Sequence, residues 1–174
     1  TDFLERKLKL KVNQKKSAVA PVAQRQFLGF SFDVSSKGGV SRRIATKALR
    51  RFGEAVRKKT RRNRNVSIKA MVADLGPYLR GWRAYFGFCQ TPRVLHNLDA
   101  WIRRRLRCVL WKQWKTSAQR HRQLRNLGIG VTLTHMTAGS QRGLWAMSRS
   151  KGLQIALRNA YFDSLGLPRL ESVR

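Results

Sequence analysis

The side chains in this chain that could hold a metal ion or move a proton are five aspartates, three glutamates, three histidines and two cysteines. Two-metal phosphoryl or nucleotidyl transfer needs carboxylates that hold ions about 4 Å apart. Asp2 and Glu5 lie three residues apart and Asp163 and Glu171 eight, while Asp33, Glu54, Asp74 and Asp99 are scattered, and no local run gathers carboxylates into a metal-binding motif. Asp74 and Asp99 fall in helical stretches and read as salt-bridge partners. His96, His121 and His135 show neither an HExxH run nor any other ligand spacing, so they read as surface or structural residues. Cys89 and Cys108 form no CxxC pair, which argues against a zinc site or a disulfide scaffold and fits a reducing, cytoplasmic setting. Gly128-Ile129-Gly130 is too short for a phosphate-cradling loop. No catalytic residue and no metal ligand is assigned.

The abundant chemistry is cationic. Lys and Arg number 38 against 8 Asp and Glu, a net charge of +30 on 174 residues. A hydrophobic fraction of 42% still provides for a packed core. So much like charge repels itself unless a polyanion neutralises it, which leaves RNA, DNA or an anionic membrane surface as partners and excludes a small acidic substrate. No apolar run reaches the roughly 18 residues that cross a bilayer. The chain opens at Thr1 with no apolar leader, as a fragment or cleaved product would. Residues 42–64 hold 11 basic and 1 acidic residue, and residues 99–125 hold 9 and 1. Clustered basic helix faces of this kind are nucleic-acid footprints.

The elements that must carry these charges divide into a short β part and a long helical part. Asp2–Lys7 reads as a helix end, Leu8, Leu10 and Val12 alternate with lysines, and Val19–Val22 and Phe27–Val34 read as strands. Lys37-Gly38-Gly39-Val40 supplies a hairpin turn. From Ser41 the period becomes helical, with Ile44, Ala48, Leu49, Phe52, Ala55 and Val56 on one face. Asn63-Arg64-Asn65 breaks that helix and Ser67 is an N-cap for the next. Gly76-Pro77 predicts a kink or restart. Thr91-Pro92 opens the longest helix, whose apolar positions include Leu95, Leu98, Trp101, Ile102, Leu106, Val109 and Leu110. Val131–Met136 reads as a strand or loop, and Leu153–Leu165 as a helix closed by Gly166. The fold class is α+β, mostly α, with a short β segment, a helical bundle and a small C-terminal helical segment.

Several strings carry a specific resemblance. Phe27-Leu28-Gly29-Phe30, preceded by Leu8-Lys9-Leu10-Lys11-Val12-Asn13, resembles the end of the palm of a group II intron reverse transcriptase. Gly81-Trp82-Arg83-Ala84-Tyr85-Phe86, the run Leu98–Arg107 (LDAWIRRRLR) and Trp111-Lys112-Gln113-Trp114-Lys115 resemble that family's maturase-specific thumb, domain X. Asn159-Ala160-Tyr161-Phe162 and Leu165-Gly166-Leu167 resemble its C-terminal stretch. The resemblance implies three parts: residues 1–43 as the end of the palm, 44–128 as the thumb, and 129–174 as an extension with possible DNA-binding character. The family's YxDD motif is not in this sequence, and neither is its CxxC-bearing endonuclease segment.

The resemblance implies an RNA-binding maturase portion that assists group II intron splicing and retrohoming. Its partners would be intron RNA and also target DNA or a primer–template duplex, with no membrane. It implies no cofactor in this chain, Mg2+ belonging to the full-length polymerase. Arg50, Arg51, Arg57, Lys58, Lys59, Arg61, Arg62, Arg64, Arg83, Arg103, Arg104, Arg107, Lys112 and Lys115 are the RNA-binding candidates. A subset of the arginines at 103–107 is expected on RNA, the others on carbonyls or on Asp99. Trp82 and Trp101 read as core, whereas Trp111 and Trp114 are divided between core and base stacking. Gly29 would permit close approach to a primer end. Two alternatives are part of an active RNA-directed DNA polymerase and a non-specific polyanion or membrane-surface binder.

Overall fold

In the computed structural model, residues 3–11, 13, 20–34 and 39–171 are described. Val12, Val19 and the Lys37-Gly38 half of the expected turn lie outside these residues. Phe3–Lys7 forms one wide helical turn and Val22–Gln24 a tight one. Leu8 and Leu10, expected in a strand, are exposed and unpaired with the sheet, and Val22 begins the tight turn instead of a strand. Alternation alone does not make a strand where no neighbouring strand takes the backbone hydrogen bonds.

Three antiparallel strands follow in the order β1 (Gln26–Phe27), β2 (Phe30–Val34) and β3 (Val40–Ile44). Phe27 pairs with Phe30, so Leu28 and Gly29 make a two-residue turn, with φ of 50° and 79°. Phe30 and Ile44 face each other across β2 and β3 and are both buried. The helical period expected from Ser41 therefore begins later: Ile44 closes β3, and the first helix starts at Thr46.

The helices are α1 (Thr46–Lys59), α2 (Ile68–Phe86), α3 (Pro92–Gln113), α4 (Ser117–Asn126), α5 (Val131–Ala138), α6 (Leu144–Met147), α7 (Lys151–Ala156) and α8 (Asn159–Ser164). The molecule is mostly α with a small sheet, the expected class. Ser67 caps α2 by accepting from the Ala70 N–H at 3.1 Å. Pro77 does not interrupt α2, which runs unbroken through it. The proline points outward, while Met71, Val72, Leu75, Leu79, Trp82 and Phe86 anchor the buried face on both sides of it.

Two expectations for the C-terminal part are corrected. Val131–Met136 is helical, because Gly130 starts α5 and Thr134, Thr137 and Ala138 pack inward at helical spacing. Leu153–Leu165 is two short helices with a break at Leu157-Arg158. Gly166, at φ 84°, ends α8 as expected: its N–H bonds Asp163 O at 2.9 Å and Leu167 N–H bonds Phe162 O at 3.1 Å. One core runs from Phe30 and Ile44 through all the long helices to Leu170.

Candidate nucleic-acid interface

The last turn of α1, the α1–α2 loop, α3 and the start of α6 enclose a groove of about 660 Å³, lined by Arg57, Arg61, Arg62, Asn63, Arg105, Lys112 and Leu144. Five of the seven residues are cations and none is a carboxylate. Helical phase builds one wall, since Arg105 and Lys112 stand seven residues apart on one face of α3. Arg105 forms the floor. Its Nε donates to Thr60 Oγ1 at 2.7 Å, and the buried Thr60 hydroxyl donates in turn to Val56 O at 2.6 Å. Arg57 and Arg105 both lie over the Trp101 ring, with guanidinium carbons 5.5 and 5.4 Å from its centroid. Gln113 Nε2 donates to Val66 O at 2.8 Å and pins the far end of the loop.

Burial, then the neighbouring Arg57, push the Arg105 guanidinium below its ordinary value. It stays charged at neutral pH. A half-buried cation beside other cations, with no acid in the lining, favours an incoming anion.

The basic residues expected at RNA separate into three groups. Arg57, Arg61, Arg62 and Lys112 line the groove. Arg50, Arg51, Lys58, Arg83 and Lys115 are exposed elsewhere, Arg50 lying 3.8 Å from Glu54 and Arg83 donating to Arg169 O at 3.2 Å. The third group is held by contacts to other parts of the fold. Lys59 and Arg64 each bind the Asp74 carboxylate at 2.8 Å, and their hydrogen bonds hold that carboxyl below its usual range. The basic α1–α2 turn thus has a fixed anchor in Asp74.

Three of the α3 arginines fasten helices through carboxylates, a hydroxyl and carbonyls, the role expected for part of the 103–107 run. Arg103 is 3% exposed and lies 3.2 Å from Asp99 and 3.3 Å from Asp163. Arg104 donates through Nε to Ser148 Oγ at 3.1 Å and through Nη2 to Trp145 O at 3.0 Å. Arg107 Nε donates to Leu157 O at 2.9 Å, taking the carbonyl at the break between α7 and α8. The Asp99 carboxylate also accepts the N–H groups of Leu170, at 3.1 and 3.0 Å, and of Glu171, at 3.0 Å. Asp163 is shared between Arg103 and Arg169, and Arg169, followed by Arg103, holds its carboxyl below the usual range.

The tryptophan expectations are also settled by burial. Trp82 is in the core, and Trp101 is partly buried against it. Trp111 and Trp114 are 1% and 6% exposed and meet edge to face at 6.0 Å, with Arg120 over Trp111. Of the two expected roles, burial favours core packing for both rings. Gly29 needs its glycine for an internal reason: a Cβ there would sit 3.1 Å from the Phe86 ring of α2. Arg105 and Trp145 were not among the candidates. The phase of Arg105 with Trp101 and Lys112 was the available signal for it. Trp145 gave none, since α6 has only four residues.

The molecule is thus mostly helical and carries a cationic groove whose lining holds no carboxylate. Residues 49–128 match the family model of the group II intron maturase-specific domain. This span holds α1 from Leu49 onward, α2, α3 and α4, so that part of the chain is similar to a maturase-specific domain. No curated protein matches the chain. Among the described residues, no helix is long and apolar enough to cross a membrane.

Proposed function

We propose that the chain is the RNA-gripping thumb of a group II intron maturase, holding intron RNA during splicing and retrohoming. The observation that carries this reading is the groove of Arg57, Arg61, Arg62, Arg105 and Lys112, without a carboxylate, inside the segment that matches the maturase-specific domain. Phosphates and 2′-hydroxyls are what A-form RNA offers to such a surface. Each phosphate neutralised adds about 0.7 to 0.9 to the slope of log affinity against log salt. The triple variant Arg61→Ala/Arg62→Ala/Lys112→Ala should weaken binding to intron RNA and lower that slope by about 2 to 3. An unchanged slope in filter-binding titrations between 50 and 200 mM salt, roughly the range where such contacts dominate, would overturn the reading.

A second reading is favoured by the β-meander at residues 26–44 and its glycine turn against α2. In it the chain is the thumb side of an RNA-directed DNA polymerase, with Gly29 near the primer end, and its carboxylates lie on another segment. The 174 residues alone should then incorporate no dNTP on a primer–template, and measurable extension would contradict this.

A further inference from the structure

The groove changes character at its inner end. There Thr60, Arg62, Arg105, Cys108 and Trp145 enclose a further 210 Å³, and Arg62 and Arg105 line both parts. Trp145 is 44% exposed, yet its position is fixed from behind. Its carbonyl accepts Arg104 Nη2 at 3.0 Å and Ser148 Oγ at 2.7 Å, and the Arg104 guanidinium lies 3.7 Å from the ring centroid. A guanidinium this close covers one part of the indole and leaves the exposed remainder for another planar group. Cations stand directly beside that remainder, and no acid does. A flat ring held beside phosphate-binding cations matches one ligand in both respects, a nucleotide with its base unstacked from its neighbours.

We propose that this corner is a nucleotide subsite, in which an unpaired base stacks on Trp145 while the flanking phosphates rest on Arg62, Arg105 and Lys112. The proposal builds on the RNA-binding reading above and adds a preference to it. A base inside a continuous duplex has both faces covered, so the subsite selects a single strand, bulge or loop. It also draws the ring from α6, outside the segment that matches the maturase-specific domain, so the C-terminal helices complete the interface.

The test uses the full chain and two RNA decamers with the same phosphates, oligouridylate and its abasic counterpart, followed by fluorescence anisotropy. The unmodified chain should bind oligouridylate about 5- to 150-fold more tightly, the range expected for one stacked base. Trp145→Ala should erase that preference and leave abasic binding unchanged, Trp145→Phe should retain most of it, and Arg62→Ala should weaken both decamers alike. Equal binding of the two decamers by the unmodified chain overturns the subsite and leaves the phosphate-binding reading standing. Absence of binding to either overturns both. A decamer carrying one 4-thiouridine needs no variant: cross-linking to the peptide that contains Trp145 supports the subsite, and cross-linking confined to other peptides contradicts it.

Discussion

Arg103, Arg104, Arg105 and Arg107 crowd into five positions of α3, and the 100° step of the helix sends them to four different partners. Arg103 turns inward to two carboxylates, Arg104 and Arg107 reach carbonyls of the C-terminal helices, and Arg105 alone floors the groove. Removing one member of a buried ion network strands the others in a low-dielectric site. Arg103→Ala is therefore expected to cost about 3–5 kcal/mol in urea unfolding. A cost below about 1 kcal/mol would mean that Asp99 and Asp163 find other partners. Asp74 makes a different prediction, in pH. Its carboxyl is depressed by Lys59 first and then Arg64, so its contribution is complete above the unfolded value near about 3.9 and is lost as pH falls through the folded value. Asp74→Asn should melt below the unmodified chain at neutral pH, and the two melting curves should converge below about pH 4.

Among the elements, α2 carries a built-in defect. Pro77 has no N–H to give to Ala73 O, and an interior proline costs a helix about 3 kcal/mol. The buried residues on both sides outweigh that cost and keep the helix whole. Pro77→Ala should raise stability by about 1–3 kcal/mol in thermal unfolding, and a loss of stability would show that the ring makes a contact of its own. Which elements were legible in the sequence follows from the length of their apolar stripes. α1, α2 and α3 span 14, 19 and 22 residues and declare their period, together with the Ser67 cap and the Pro92 start. α5 has eight residues rich in β-branched side chains, so local preference suggested strand and packing on α4 decided otherwise. The break at Leu157 was invisible because its apolar pattern continues, and the residue that takes its carbonyl lies 50 positions away. The site divides in the same way. Basic clusters at 42–64 and 99–125 were evident from composition, whereas the sorting of individual arginines into fasteners and groove residues depends on partners from distant segments.

For the whole molecule, the acids named here pair with basic residues of the fold, Asp99 in the interior and others at the surface. Asp33, Glu54, Asp74, Asp99, Asp163 and Glu171 each meet an arginine, lysine or histidine of the fold. The excess of +30 is thereby left to cations, many of them turned toward solvent or the groove. One of these acids also shapes how the molecule comes together in time. Asp99 holds the Leu170 N–H across 71 residues of sequence, and the intervening chain must be gathered before that bond can close. We expect this contact to close after the rest of the fold has assembled, because its loop-closure entropy must be met before the bond rewards it. Asp99→Asn should then leave the refolding rate nearly unchanged in stopped-flow mixing and speed unfolding, with most of the lost stability appearing on the unfolding arm. On that outcome the carboxylate sets the lifetime of the native fold more than the speed of its assembly.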